Sequence, residues 1–550
     1  MQRTAVVRAL VLGTTIALSS ATTQAVAAIA DHVWPQDSTH VVIMQSPVQK
    51  AIRHAFHENT AHLNFRQKRD RAAAELFYER RGFQAAWIRN GELTQDAREI
   101  IAFLHRADED GLDPANYPTP LETFNQDRLA TAEQIARADF TLTQSVLTYA
   151  EDAQSGRVVP GNISKSISVE PSRPDPVMAL ENIHRTTLTA QVMAAFNPPH
   201  AGYQALKQQL KLLRAQQHEE REVVVVPEGK LLKLGSTGKR VSLLRQRLEV
   251  SALLPEDEER FTSELKEAVK TFQRENGLND DGVVGPRTLL AINATVSGNP
   301  IHDVIANMER WRWLPRDLGE THLMVNIPEF MVRLQRDQHT LHETRVVVGK
   351  KKHMTPIFSD VMNHVIVNPY WNVPYSIASK EILPELRRNP QAYLMRGNYE
   401  ILSRGKVVDP SRVNWDGVTF KQLRIRQRPG TGNALGDIKF MFPNRHNVYL
   451  HDTPSKSLFR RSARAFSHGC VRVQNPFEFA DALMAQQPSL TGHKIRSMLG
   501  GKQKQVNLEK TIPIHITYFT AFVDENGNLQ RRPDVYGHND KTIEALGLSQ

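Results

Sequence analysis

The chain has 550 residues, of which 40% are hydrophobic and 23% charged, and 69 Lys and Arg against 59 Asp and Glu give a formal net charge of +10. That composition excludes a collagenous, repetitive or globally disordered chain and leaves room for about three domains of ~150 residues with ordinary cores. A single cysteine excludes an internal disulfide framework. The basic excess is spread along the chain, which suits surface solubility or anionic partners such as wall polymers and lipid head groups. No clustered basic block singles out nucleic acid, and no nucleic-acid partner is expected.

Residues 1–30 read as a secretory signal. Arg3 and Arg8 precede a short apolar stretch from Ala9 to Leu18, and Ala25-Val26-Ala27 or Ala28-Ile29-Ala30 offers a small-residue cleavage site. No later segment approaches the ~20 apolar residues of a membrane span, so an exported soluble protein is expected. From about Asn59 to Leu213 apolar positions recur at helical spacing, as in Ala74, Phe77 and Tyr78 and in Ile100, Ile101 and Leu104. Turn signals at Asp110-Gly111 and Asp113-Pro114 separate the pieces, and residues 31–229 are expected to form a helical scaffold domain. After the charged run Glu219 to Glu222, residues 230–296 form a compact unit. Val241, Leu244 and Leu248 make one apolar stripe, Leu265, Val269 and Phe272 another, and Pro286 can open a third helix after a turn at Gly282 and Gly285. With Gly235-Ser236-Thr237-Gly238, Phe272 to Leu278 and Asp281 to Thr288 in this order, the unit resembles a small three-helix peptidoglycan-binding domain.

From 297 to 550 the pattern becomes β-rich. Leu323, Val325 and Ile327 alternate, and short runs follow at Phe330 to Leu334, Val346 to Val348, Val365 to Val367, Val448 to Leu450 and Ile512 to Phe522. The stretch of about 370–436 shows little strand signal and is too long for a plain loop, so it is expected to cover a functional site. The fold class is therefore multidomain α+β: a helical scaffold, a three-helix unit and a β-rich domain bearing a capping insertion.

The lone thiol, Cys470, lies in Ser467-His468-Gly469-Cys470-Val471-Arg472, and His451 ends an apolar run upstream. An imidazole within reach could take the thiol proton, lower its pKa and yield a nucleophilic thiolate. Gly469 permits close approach to the backbone, so the amides of Gly469 and Cys470 are candidate oxyanion-hole donors. Arg472 suits a substrate carboxylate. Ser467, Tyr449 and Trp371 are further candidate substrate contacts, although aromatic residues beside strands more often pack in a core. His468 is a second candidate base, with two alternatives: facing away along an extended strand, or lining the cleft to help bind substrate.

These residues resemble the signature of the L,D-transpeptidases with a YkuD catalytic domain. Glu309-Arg310-Trp311-Arg312-Trp313-Leu314-Pro315, Asn368 to Pro374, Gly436 to Asn444 and Leu450 to Pro454 are similar to the large, periplasmic YcbB-like branch. The resemblance implies a periplasmic enzyme with no cofactor or metal, acting on peptidoglycan stem peptides and glycan strands. It implies Cys470 as nucleophile, His451 as the base oriented by the carbonyl of Asp452, a thioester on the third residue of a tetrapeptide stem, release of D-alanine and a 3→3 cross-link. Carbapenem-type β-lactams are expected to label the same thiol. The same acyl-enzyme could anchor an outer-membrane protein to the wall or act as an L,D-carboxypeptidase. Two readings of another kind stay open: a zinc-dependent wall amidase using His451, His468 and Cys470 as ligands, and a non-catalytic wall-binding scaffold.

Overall fold

The computed structural model describes residues 45–57, 61–120, 131–216, 224–275, 278–294, 299–418 and 423–549; the expected signal segment, residues 1–30, lies outside them. Among the described residues no helix is long and apolar enough to cross a membrane.

The scaffold is helical because its apolar residues fall on single stripes and its helices begin at side chains that accept from free amides. Asn64 and Thr131 each form a capping box at Phe65–Arg80 and Ala132–Ser155, and Thr94 caps Gln95–Leu104. The stripes meet in one core containing Ala74, Phe77, Tyr78, Trp87, Ile100, Ile101 and Leu104. The last scaffold helix, Ala201–Gln216, leaves this core and joins another: Tyr203, Leu206 and Leu210 pack with strand residues of the β-rich domain. The three-helix unit has the expected helices, Lys239–Arg247, Ser263–Glu275 and Pro286–Ala294, around Val241, Leu244, Leu265 and Val269.

Nine strands make the β-rich domain's main sheet. They are β1 Thr321–Asn326, β2 Met331–Arg336, β3 His339–Gly349 and β4 Phe358–Val367, then, beyond the cap strands, β9 Ile438–Met441, β10 Leu450–His451, β11 Ala465–Ser467, β12 Val471–Val473 and β13 Lys504–Thr517. Their order is β11-β3-β12-β10-β9-β4-β13-β1-β2, and β3 also pairs with β2, so the sheet rolls closed upon itself. Rolling follows from β3, whose first half pairs with β2 and whose second half pairs with β12 and β11. Leu323, Val325, Val365, Val367, Phe440, Leu450, Val471 and Val473 fill its interior.

The insertion differs from the sequence reading. It carries a four-stranded sheet, with β5 Trp371–Asn372, β6 Tyr399–Ser403, β7 Lys406–Val408 and β8 Leu423–Gln427 in the order β5-β8-β6-β7, together with short helices. Ala378, Ile382, Leu386, Leu394, Ile401, Trp415, Leu423 and Ile425 give it a core of its own. The strand signal was weak because β5 and β7 have only two and three residues and β8 alternates arginines with buried residues.

Candidate active site

Sheet register builds the site. β10 runs parallel to β12 with Leu450 opposite Val471 and His451 opposite Arg472, and β9 runs antiparallel to β10 with Lys439 opposite His451. Successive residues alternate faces, so Leu450 and Val471 enter the core and the residues between them point the other way. One row across the sheet therefore reads Lys439, His451, Arg472. The next row, one pair back, sets Tyr449 beside Cys470, a step supported by the Val471 amide donating to the Tyr449 carbonyl at 3.1 Å.

Around the sulfur the contacts agree with that register. Both the backbone and the phenol of Tyr449 lie within hydrogen-bonding reach of it, and the thiol donates to the Asn447 carbonyl at 3.8 Å. The Tyr449 and His451 rings meet edge to face, 5.7 Å between centroids. The Lys439 ammonium stands 5.2 Å from the Tyr449 ring centroid, so it leans toward the row that holds the thiol.

His451 is 4% exposed, and its Nδ1 bonds to the Asp452 carbonyl. A carbonyl can only accept, so Nδ1 carries the proton and Nε2 is the basic nitrogen. Asp452 is itself held, through Lys456 and the amides of Thr453 and Asp437. Burial, then the charges of Arg472 and Lys439, pull the imidazole down to about 3 against the raising effect of the Asp452 and Leu435 carbonyls. Burial likewise pushes the Cys470 thiol up, although Tyr449, Lys439 and Arg472 act in the opposite direction. The expected resting thiolate is thus corrected to a neutral thiol beside a neutral imidazole, because removing both groups from water penalises both charged forms.

Gly469 has φ +118°, a backbone region that side-chain-bearing residues rarely enter, and its carbonyl accepts from Thr355 Oγ1 at 2.8 Å. Its amide donates to Ser467 Oγ at 3.1 Å, and that hydroxyl donates to the Cys470 carbonyl at 2.5 Å. Two expectations change here. Ser467 is buried and shapes the nucleophile loop from within, and the Gly469 amide is committed to it. The Cys470 amide, by contrast, donates to no group among the described residues and lies next to the thiol.

His468 turns outward. Its Nε2 is 2.9 Å from Glu381 Oε1 of the cap and 3.4 Å from Lys350 Nζ, and its ring lies 4.7 Å from that of His353. It joins the cap to the loop two residues from the thiol, and it is separated from the row containing His451. Among the described residues no group of three or more His, Cys, Asp or Glu is placed to hold a metal ion. Trp371 belongs to the cap sheet, opposite Gln427 and 6.4 Å from the Tyr399 ring.

Sequence reasoning passed over Lys439 and Asn447. Lys439 could have been found from the alternation in Ile438-Lys439-Phe440, where one cation interrupts two core residues. Asn447, at φ +53°, acts through a backbone carbonyl, which no side-chain pattern announces.

Residues 320–496 match the model of the L,D-transpeptidase catalytic domain, residues 72–210 that of the "Scaffold domain" and residues 237–292 that of the "Putative peptidoglycan binding domain". A Haemophilus influenzae protein named "Putative L,D-transpeptidase" is 34% identical over 250 residues, 45% of this chain, and the chain spans half the length of that relative. Among solved structures, an L,D-transpeptidase of Xylanimonas cellulosilytica is 16% identical, with 53% of this chain and 98% of that one covered and a TM-score of 0.16. The corresponding values for one of Stackebrandtia nassauensis are 12%, 54%, 97% and 0.22.

Proposed function

We propose that this chain, with its L,D-transpeptidase catalytic domain, is an exported, periplasmic peptidoglycan L,D-transpeptidase that works through a thioester on Cys470. The observation that carries the reading is the pair of rows on β9, β10 and β12. They set a thiol and an imidazole with a fixed tautomer on one sheet face, within a domain that matches this family.

In the first half-reaction the sulfur attacks the carbonyl carbon of the third stem residue as its proton passes to His451 Nε2. The Cys470 amide, which has no acceptor among the described residues, can donate to the oxygen as it becomes an oxyanion. Collapse breaks the carbon–nitrogen bond, and His451 returns the proton to the leaving amine of the fourth residue, a D-alanine. In the second half-reaction the side-chain amine of another stem's third residue attacks the thioester. Nε2 takes a proton from that amine and gives it to the departing sulfur, which leaves a 3→3 cross-link and the original thiol. The low basicity of His451 means that proton transfer accompanies attack and does not precede it. The cap, joined to the nucleophile loop through His468 and Glu381, limits competing hydrolysis.

The test is incubation of purified protein with disaccharide-tetrapeptide, read by intact mass. The expected result is an acyl adduct on Cys470, a D-alanine-depleted dimeric product, and loss of the adduct in Cys470→Ser and His451→Ala. Single truncated products without dimers indicate a carboxypeptidase, and an adduct on any other residue overturns the reading. A carbapenem should label the same thiol.

A further inference from the structure

Two cations in the site have no counter-ion. Lys439 and Arg472 flank His451 in one row, one on each neighbouring strand. Among the described residues neither forms an ion pair, and Arg472 Nε is buried without a hydrogen-bond partner. Burial lowers the pKa of both against the opposing pull of Cys470, which rests as a neutral thiol and so leaves much of that cost uncompensated. With strands ~4.8 Å apart, the two side chains flank His451 on one face of the sheet, Lys439 leaning toward the Tyr449 ring.

The chemistry says which anion belongs there. His451 Nε2 delivers a proton to the departing amine, so that amine stands beside Nε2 in the plane of the ring. In an amino-acid leaving group the α-carboxylate is attached one carbon from the same nitrogen, between Lys439 and Arg472.

We infer that Lys439, acting with Arg472, is a specificity-determining residue that binds the free α-carboxylate of the leaving C-terminal amino acid. The inference rests on the donor reaction proposed above. It makes the site release one terminal residue at a time and turn away stems in which that residue is amidated or followed by another. It also gives the carboxylate a second task. By neutralising the two charges that disfavour imidazolium, a correct donor removes the smaller, charge-based part of the depression of His451, while the larger part set by burial stays.

The experiment compares two synthetic donors, a disaccharide-tetrapeptide with a free terminal carboxylate and the same compound as its terminal carboxamide, in acylation of Cys470 followed by intact mass. The unsubstituted protein should favour the acid by roughly tenfold or more in kcat/KM, the scale of one charge-assisted hydrogen bond. Lys439→Gln should bring that ratio toward one, and Lys439→Arg should retain most of the preference. Unchanged thermal unfolding serves as the folding check on each variant. Equal rates for the two donors, or a full preference surviving in Lys439→Gln, overturn the inference while the thioester chemistry stands. Acylation by neither donor removes the thioester reading itself, and this inference with it.

Discussion

Two pairs of cations, one buried and one half-buried, receive opposite treatment. In the helix Pro300–Arg312, which lies between the scaffold and the β-rich domain, Arg312 donates to the Asp110 carbonyl at 2.6 Å, the Tyr203 hydroxyl at 2.9 Å and the Ala153 carbonyl at 3.2 Å, with Glu309 at 3.6 Å. Arg310, two residues earlier and on the opposite side of the helix, reaches Asn307, Asn539 and Thr542. Glu309 completes the seam by accepting from the Val158 amide at 2.8 Å. Lys439 and Arg472 in the cleft have no such company. The fold supplies acceptors for a buried cation where the cation joins domains, and withholds them where a ligand is to bring its own charge.

The sharpest way to break this comparison is to remove one cation from each group. Arg312→Met should lower unfolding free energy by about 3–5 kcal/mol, because it strands Glu309 and several oriented acceptors. Arg472→Met should stay within about 1 kcal/mol of the parent, since no described acceptor loses a partner. Urea unfolding of the two variants reads the difference, and equal losses would erase the distinction.

Acidification provides a somewhat smaller effect that spans both regions. Burial holds His515 and His538 of the packed seam down to about 4, and His451 of the cleft to about 3. Folded values below the ordinary 6.5 mean that the unfolded chain binds more protons between pH 6.5 and about 3. The stabilisation from neutral burial is therefore complete above pH 6.5 and is lost as pH falls below it. Stability should drop on the order of a few kcal/mol between pH 7.5 and 5. His451→Ala should make the dependence shallower by up to one proton, and a slope equal to the parent's would show that the cleft imidazole is not the low-pKa group.

The smallest effect concerns the cap. Glu381→Gln removes the charge facing His468 at a half-exposed contact, which should leave stability within ~0.5 kcal/mol. Alkylation of Cys470 by iodoacetamide should quicken by roughly twofold to fivefold if that contact holds the cap over the loop. No change in rate would assign closure to other contacts.

Much of the architecture was legible because its signals are local. Capping residues and apolar stripes mark the scaffold helices, alternation marks β1 and the end of β4, and the run from Ser467 to Arg472 marks the nucleophile. The cap sheet was not legible, since its strands are two to five residues long and its core assembles from segments up to fifty positions apart. Ser467 and His468 show the same limit within one motif: neighbours in sequence, one is folded inward to brace the loop and the other turned outward to the cap.

The sequence by itself determined the helical and β-rich halves, the three-helix unit between them and the identity of the thiol and its imidazole, because residue type and short-range spacing suffice for those. Only tertiary structure decided which charges stand around them. Lys439 and Arg472 come from strands on either side of β10, thirty-three positions apart in sequence, and the register of β9, β10 and β12 places both beside His451. Charge states in a cleft depend on distance and desolvation, and those quantities exist only once the strands are paired.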